Sequence, residues 1–145
     1  MELLLVEDNP ADVRLMREAL RESGVGDSLR IAADGVEAMA YLRHEGRHAD
    51  APLPHLILLD LNLPRKSGYE VLAEIKNDPS LKLIPVVILT TSASPEDIRR
   101  SYELHANCYI TKPVDLDRFI GAVKTLGDLW LNVARLPGRF IDNRA

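Results

Sequence analysis

Cysteine, cationic excess and long apolar runs are all scarce in this chain, and each scarcity removes a class of function. The one cysteine, Cys108, excludes an intrachain disulfide. It falls in a predicted strand, where a small buried hydrophobe without redox chemistry is expected. With 18 Lys and Arg against 22 Asp and Glu, the formal charge of −4 offers no general cationic surface to nucleic acid or an anionic membrane. No apolar stretch approaches the roughly 20 residues of a membrane-spanning helix. Glu2 leads straight into a strand pattern, which is wrong for a cleaved signal peptide. A cytoplasmic, reducing setting is expected, with a protein or small-ligand partner. The histidines His44, His48, His55 and His105 lack metal-site spacing on one element and read as loop or surface residues. The 145 residues, 46% of them apolar, suffice for one core and leave no room for a second folded effector domain.

What is present is an alternation of strand-like and helix-like segments. Four apolar runs each end in a residue able to handle a phosphoryl group. Leu3 to Val6 runs into Glu7 and Asp8, Leu56 to Leu59 into Asp60, Val86 to Leu89 into Thr90 and Thr91, and Cys108 to Ile110 through Thr111 to Lys112. Between them, Asn9-Pro10 starts a helix carrying Val13, Met16 and Leu20, and Ser28 to Ala33 reads as a short second strand. Asp34-Gly35 turns into a second helix, and a polar loop from Glu45 to Pro54 leads to the Asp60 strand. Ser67-Gly68 opens the third helix and Asp78-Pro79 ends it. Ser94-Pro95-Glu96-Asp97 has the serine cap, first-position proline and acids of a helix start, for a helix expected to run to about His105. Asp115 can cap the last helix, with Phe119, Ile120, Val123 and Leu126 inward.

Five strand-then-helix units predict a three-layer, doubly wound α/β domain with right-handed crossovers. The flavodoxin-like (βα)5 sandwich, a parallel sheet in order 2-1-3-4-5, suits five strands. Its switch point lies between the first and third strands, beside Glu7, Asp8 and Asp60. Three neighbouring carboxylates repel one another unless a cation sits among them, and oxygen ligands select a hard one. Magnesium fits better than calcium, since no D-x-[DN]-x-[DN]-G loop lies near these acids. A carboxylate beside Mg2+ can attack phosphorus and form an aspartyl phosphate. Lys112 fits the ammonium that neutralises equatorial oxygens, and Thr90 can donate a hydroxyl hydrogen bond. Taken singly, Asp60 is a turn former, Thr90 a strand residue and Lys112 a solvated charge. Their joint placement on four strand ends carries the functional reading.

The text Val6-Glu7-Asp8-Asn9, Ala33-Asp34-Gly35-Val36-Glu37-Ala38, Leu58-Leu59-Asp60-Leu61-Asn62-Leu63-Pro64, Gly68, Leu89-Thr90-Thr91 and Tyr109-Ile110-Thr111-Lys112-Pro113 resembles a response-regulator receiver domain. The resemblance covers about residues 2 to 125. It implies that Asp60 accepts phosphate from a phosphohistidine on a sensor histidine kinase. Asp8 and Asp60 would bind Mg2+, the Asn62 carbonyl would add a third ligand, and Glu7 would hold the metal's waters. Thr90, with Thr91 beside it, and Lys112 would contact the phosphoryl group, Tyr109 would change rotamer, and the face of the fourth helix, fifth strand and fifth helix would switch. The Lys112-Pro113 bond would be cis. Glu7 stands where this family often has aspartate. The long polar loop and the C-terminal extension look like the small stand-alone regulators of bacterial phytochrome kinases.

The expected organisation is a receiver domain over 1–125 and, over 126–145, an extension of the last helix and a tail that could serve as a dimerisation arm. Trp130, with Leu129 and Val133, either covers its own domain or anchors a homodimer. Arg99 and Arg100 on the fourth helix could meet a partner or simply be solvated. A metal-dependent aspartyl-phosphate hydrolase is the alternative, although the chain lacks the D-x-D nucleophile motif of haloacid-dehalogenase phosphatases and a cap domain. A flavin module would need a Ser/Thr/Gly-rich loop after the first strand. The protein is therefore expected to be a switch, catalysing only its own phosphotransfer and dephosphorylation.

Overall fold

A computed structural model describes residues 2–22, 28–112 and 115–137, with the backbone alone described at 116 and 131–133. Five strands, β1 (Leu3–Val6), β2 (Leu29–Ala32), β3 (Leu56–Leu59), β4 (Val86–Thr90) and β5 (Cys108–Thr111), pair in parallel in the order β2-β1-β3-β4-β5. The flavodoxin-like order expected above is the one found. The helices are α1 (Pro10–Glu22), α2 (Gly35–Leu42), α3 (Gly68–Asn77), α4 (Pro95–Glu103) and α5 (Leu116–Gly127).

The period-2 geometry of the strands sends alternate residues to two cores. Leu4, Val6, Ile57, Leu59, Val86 and Ile88 meet α2 and α3 through Met39, Leu42, Val71, Leu72 and Ile75. Leu3, Leu5, Leu56, Leu58, Val87 and Leu89 meet α1 and α5 through Met16, Leu20, Phe119, Val123 and Leu126. Each residue of β1, β3 and β4 is buried, as central parallel strands covered on both faces require. Strand β5 lies at the edge, so Cys108 is half-buried rather than buried as expected.

Side-chain caps fix most helix starts. Asn9 Oδ1 accepts from the amides of Ala11 (2.9 Å) and Asp12 (3.3 Å), and Asp34 Oδ1 accepts from Glu37 N at 2.7 Å. Ser67 and Glu70 form a capping box on α3, and Ser94 accepts from Asp97 N with Pro95 at the first position of α4. Asp115 accepts from the amides of Asp117 and Arg118.

Boundaries moved by small amounts. Strand β2 begins at Leu29 instead of Ser28 and ends at Ala32 instead of Ala33. Helix α4 stops at Glu103, short of His105, because His105 takes a left-handed φ of 74°. The polar loop contains a short 3-10 turn, Gly46–His48. After α5 the chain widens into a π-helical segment, Asp128–Val133, instead of simply continuing the α-helix. No helix among the described residues is long and apolar enough to cross a membrane.

Candidate functional site

The sheet ladder itself delivers the site residues. Val6 lies opposite Leu59 and Leu59 opposite Ile88, so Glu7 and Asp60, the next residues along β1 and β3, emerge together at the carboxyl edge, with Thr90 two residues past Ile88 at the end of β4. The last ladder bonds then hold the site backbones: Glu7 N donates to Ala32 O (3.0 Å), Asp60 N to Val6 O (3.1 Å) and Lys112 N to Thr90 O (2.6 Å). Side chains of Glu7, Asp60, Thr90 and Lys112 are buried, which is unusual for charged groups unless they are paired. Asp8 is exposed beside them.

Two glycines seat the loop after Asp60. A Cβ on Gly68 would lie 2.2 Å from the Asp60 carbonyl oxygen and 2.6 Å from Leu61 Cα, so the start of α3 can press on this loop only as glycine. A Cβ on Gly35 would lie 2.1 Å from the Lys66 carbonyl oxygen, which clamps the same loop from the α2 side. Within the loop, Asn62 N donates to Asp60 Oδ1 at 3.2 Å and fixes one carboxylate oxygen.

Lys112 Nζ occupies the middle of the acids. It donates to Glu7, to Asp60 Oδ2 at 3.2 Å and to Asp12 Oδ2 at 3.0 Å. Burial works to lower the ammonium, but the hydrogen bond and charge of Glu7, joined by Asp12 and Asp60, outweigh it and hold the lysine above its usual range. Burial lifts the Glu7 carboxyl to about 7 against the pull of Lys112. The ammonium keeps its charge throughout because Asp12 and Asp60 also face it.

Carboxylate oxygens of Glu7, Asp8 and Asp60 all lie within 4.8 Å of one another. All are hard oxygen donors, and among the described residues Glu7, Asp60 and the neighbouring Asp12 share the Lys112 ammonium. That donor set fits a divalent cation of the oxygen-preferring kind. Thr90 Oγ1 is buried and has no hydrogen-bond partner among the described residues. An unpaired buried hydroxyl costs about 1–3 kcal/mol, which makes it an acceptor or donor in waiting. Thr91 is exposed next to it.

Sequence reasoning missed Asp12. An acid in the first turn of a helix is already explained by the helix dipole, so nothing in the local text marks its contact with a lysine 100 positions away. It also missed a polar clasp around α4. Asp97 accepts from the Tyr69 hydroxyl and from Ser92 Oγ at 2.5 Å, and both bonds hold its carboxyl below the usual range. Arg100 lies 3.9 Å from the centroid of the Tyr69 ring, and the Tyr109 hydroxyl donates to Ser92 O at 2.8 Å.

The other expected residues fall apart from the cluster. His48 packs edge-on against Tyr41 and His55 Nδ1 accepts from Glu2 N, whereas His44 and His105 are exposed. Trp130 is half-buried against the α1 and α5 core, and Leu129 is 50% exposed. The Val133 side chain and the Lys112-Pro113 bond lie outside the described residues.

Residues 3–124 match the family described as the response regulator receiver domain. Over 135 residues, 93% of this chain and 92% of the relative, the sequence is 51% identical to Response regulator Rcp1 of Synechocystis sp.. Among solved structures, the phosphorylated cyanobacterial phytochrome response regulator RcpA is similar with a TM-score of 0.91 and 56% identity, over 94% of this chain and 98% of that one. The Mn2+-bound form of Rcp1 is similar with a TM-score of 0.90 and 51% identity, again over 94% and 98% of the two chains.

Proposed function

The chain belongs to the response regulator receiver family, and from that premise we propose that Asp60 is its phosphoacceptor, phosphorylated with Mg2+ by a phytochrome-type sensor histidine kinase. The observation that carries the assignment is a buried carboxylate with one oxygen on the Asn62 amide and the other on the Lys112 ammonium, inside a cluster fit for a divalent ion. The Mn2+-bound relative supports a divalent ion, and the donor chemistry favours Mg2+ within that class.

The Asp60 carboxylate attacks the phosphorus of the donor phosphohistidine. An O–P bond forms, the N–P bond breaks, and the electron pair returns to the imidazole. Lys112, already held on Asp60 Oδ2, shifts a donor to a phosphoryl oxygen, and the Thr90 hydroxyl supplies a second. Asp8, Asp60, Glu7 and the Asn62 carbonyl would hold the ion, Glu7 through water. When bound, the ion neutralises charge on the equatorial oxygens during transfer. Tyr109, hydrogen-bonded to the loop that follows Thr90, relays the change to the face of α4, β5 and α5. Thr91 flanks that loop. Beyond its own phosphotransfer and dephosphorylation the protein performs no chemistry.

The phytochrome pairing rests on the two cyanobacterial relatives, one of which is named as a phytochrome response regulator. We place the receiver domain over 1–125 and a homodimer contact in the extension that follows, where Leu129 is exposed beside Trp130 and Val133 continues the segment. The protein works in the cytoplasm, without nucleic acid or membrane contact.

Radiolabelled acetyl phosphate or kinase phosphohistidine tests the site. The parent should label only with a divalent ion and Asp60→Asn should not label; a normally labelled Asp60→Asn refutes the assignment. Phosphotransfer profiling against histidine kinases should single out a phytochrome kinase, and uniformly slow transfer would discard that pairing. Light scattering at micromolar concentration should give a dimer mass that Leu129→Glu reduces to a monomer.

A further inference from the structure

We propose that Asp12 is a positioning residue for Lys112, a counter-ion that keeps the ammonium in the site when the divalent ion and the phosphoryl group claim Glu7 and Asp60. The inference rests on the reading of Asp60 as phosphoacceptor. An ammonium has three N–H donors, and in this structure they go to Glu7, Asp12 and Asp60. Two of those partners belong to the group whose oxygens converge for a cation, and Asp12 does not.

A divalent ion in that group repels the ammonium and draws electron density from the two carboxylates it shares. Phosphorylation then converts the Asp60 carboxylate into an acyl phosphate, so that Lys112 exchanges its bond to Asp60 Oδ2 for one to a phosphoryl oxygen. Asp12 is the one partner that neither event touches. A partner that stays in place holds the ammonium through that exchange, because the Lys112 side chain is only 5% exposed and a buried charge left unpaired is costly. Without Asp12, the ammonium must lean on Glu7 and Asp60 and so compete with the metal for them.

A helix-capping role does not account for this acid. Asn9 Oδ1 already takes the amides of Ala11 and Asp12, so the Asp12 carboxylate is free of that duty and faces Lys112 instead. Its side chain is 27% exposed, compared with 4% for Glu7 and 10% for Asp60, which suits an anchor at the rim of the site.

The test is Mg2+ titration by calorimetry of Asp12→Asn, Asp12→Glu, Lys112→Met and the Asp12→Asn/Lys112→Met pair, each checked for folding by thermal unfolding. Asp12→Asn keeps the size and one acceptor of the side chain. In the otherwise parental protein it should weaken Mg2+ binding about fivefold, near the upper end for a partly exposed ion pair. In the Lys112→Met background it should change affinity by less than about twofold. Asp12→Glu should restore most of the affinity. At saturating Mg2+, acetyl phosphate should label Asp12→Asn more slowly than the parent. Unchanged affinity and labelling would overturn the proposal, as would equal weakening in both backgrounds, since that is mere long-range attraction of the ion by an acid. Labelling of the parent and of Asp60→Asn judges the phosphoacceptor reading separately, and the Mg2+ cycle reports on Asp12 whichever way that control falls.

Discussion

Replacing Thr90 by valine should make the unphosphorylated protein more stable and the phosphorylated protein less responsive. Thr90 is fully buried at the end of β4, and its hydroxyl has no partner among the described residues. Valine is nearly isosteric and also β-branched, so strand packing is retained while a desolvated polar atom is removed. An unsatisfied buried hydroxyl costs about 1–3 kcal/mol, and the lower end applies where the wall of the site can relax. A gain of about 1 kcal/mol corresponds to a rise of about 4 °C in Tm for a domain of this length. In urea at 25 °C the same gain moves the midpoint up by about 0.5 M. The assay is urea unfolding of parent and variant, first alone and then with Mg2+ and excess acetyl phosphate. Alone, the valine variant should be the more stable. With the phosphodonor the parent should recover the difference, because only its hydroxyl finds a phosphoryl oxygen. A valine variant that is less stable than the parent when unphosphorylated would show that the hydroxyl is already satisfied. An unchanged gap with phosphodonor would remove the hydroxyl from the phosphoryl site.

Glu7 gives the site a pH dependence of definite sign. Its folded carboxyl titrates at about 7 instead of 4.5, so the metal-free folded state holds a proton that the unfolded chain has lost. Stability of the metal-free protein should therefore fall as pH rises between those two values, and chemical denaturation at fixed ionic strength measures it. Mg2+ affinity should rise over the same window and level off above it, with proton release visible as a buffer-dependent heat in calorimetry; pH-independent affinity from about 5 to 8 would contradict it. Gly68→Ala should cost about 2 kcal/mol or more and slow labelling of Asp60, because the new methyl meets backbone at 2.2 Å rather than a movable side chain. A fully stable, normally labelled Gly68→Ala would show that the loop after β3 is not seated by that contact.

Much of this site could be read from the chain because strand-end residues need no long-range arithmetic. Once apolar runs alternate with capped helices, the parallel order follows, and Glu7, Asp8, Asp60, Thr90 and Lys112 must share one edge. The caps at Asp34, Ser67, Ser94 and Asp115 were equally legible, being set by residues within three positions. What escaped depends on how separate elements pack. Asp12 meets Lys112 only because α1 packs on the face of the sheet that α5 also covers, which brings the first turn of α1 beside the residue that follows β5. The Tyr69–Asp97 bond joins two helices separated by a strand. Cys108 is half-buried because β5 lies at the edge of the sheet, a position that the order 2-1-3-4-5 already implies although its apolar run alone reads as buried. The π-helical turn after Gly127 has no sequence punctuation, since apolar spacing continues through it.

Helix α4 buries only Ser101, and Asp97, Ser92, Tyr69 and Arg100 secure it through hydrogen bonds and charge. A displacement of α4 would therefore transfer little apolar surface to water. Heat-capacity change scales with such surface, so the equilibrium between its positions would have a nearly constant enthalpy. Dissolved salt, which screens the charges of the clasp and leaves apolar contacts intact, would shift that equilibrium more than temperature does.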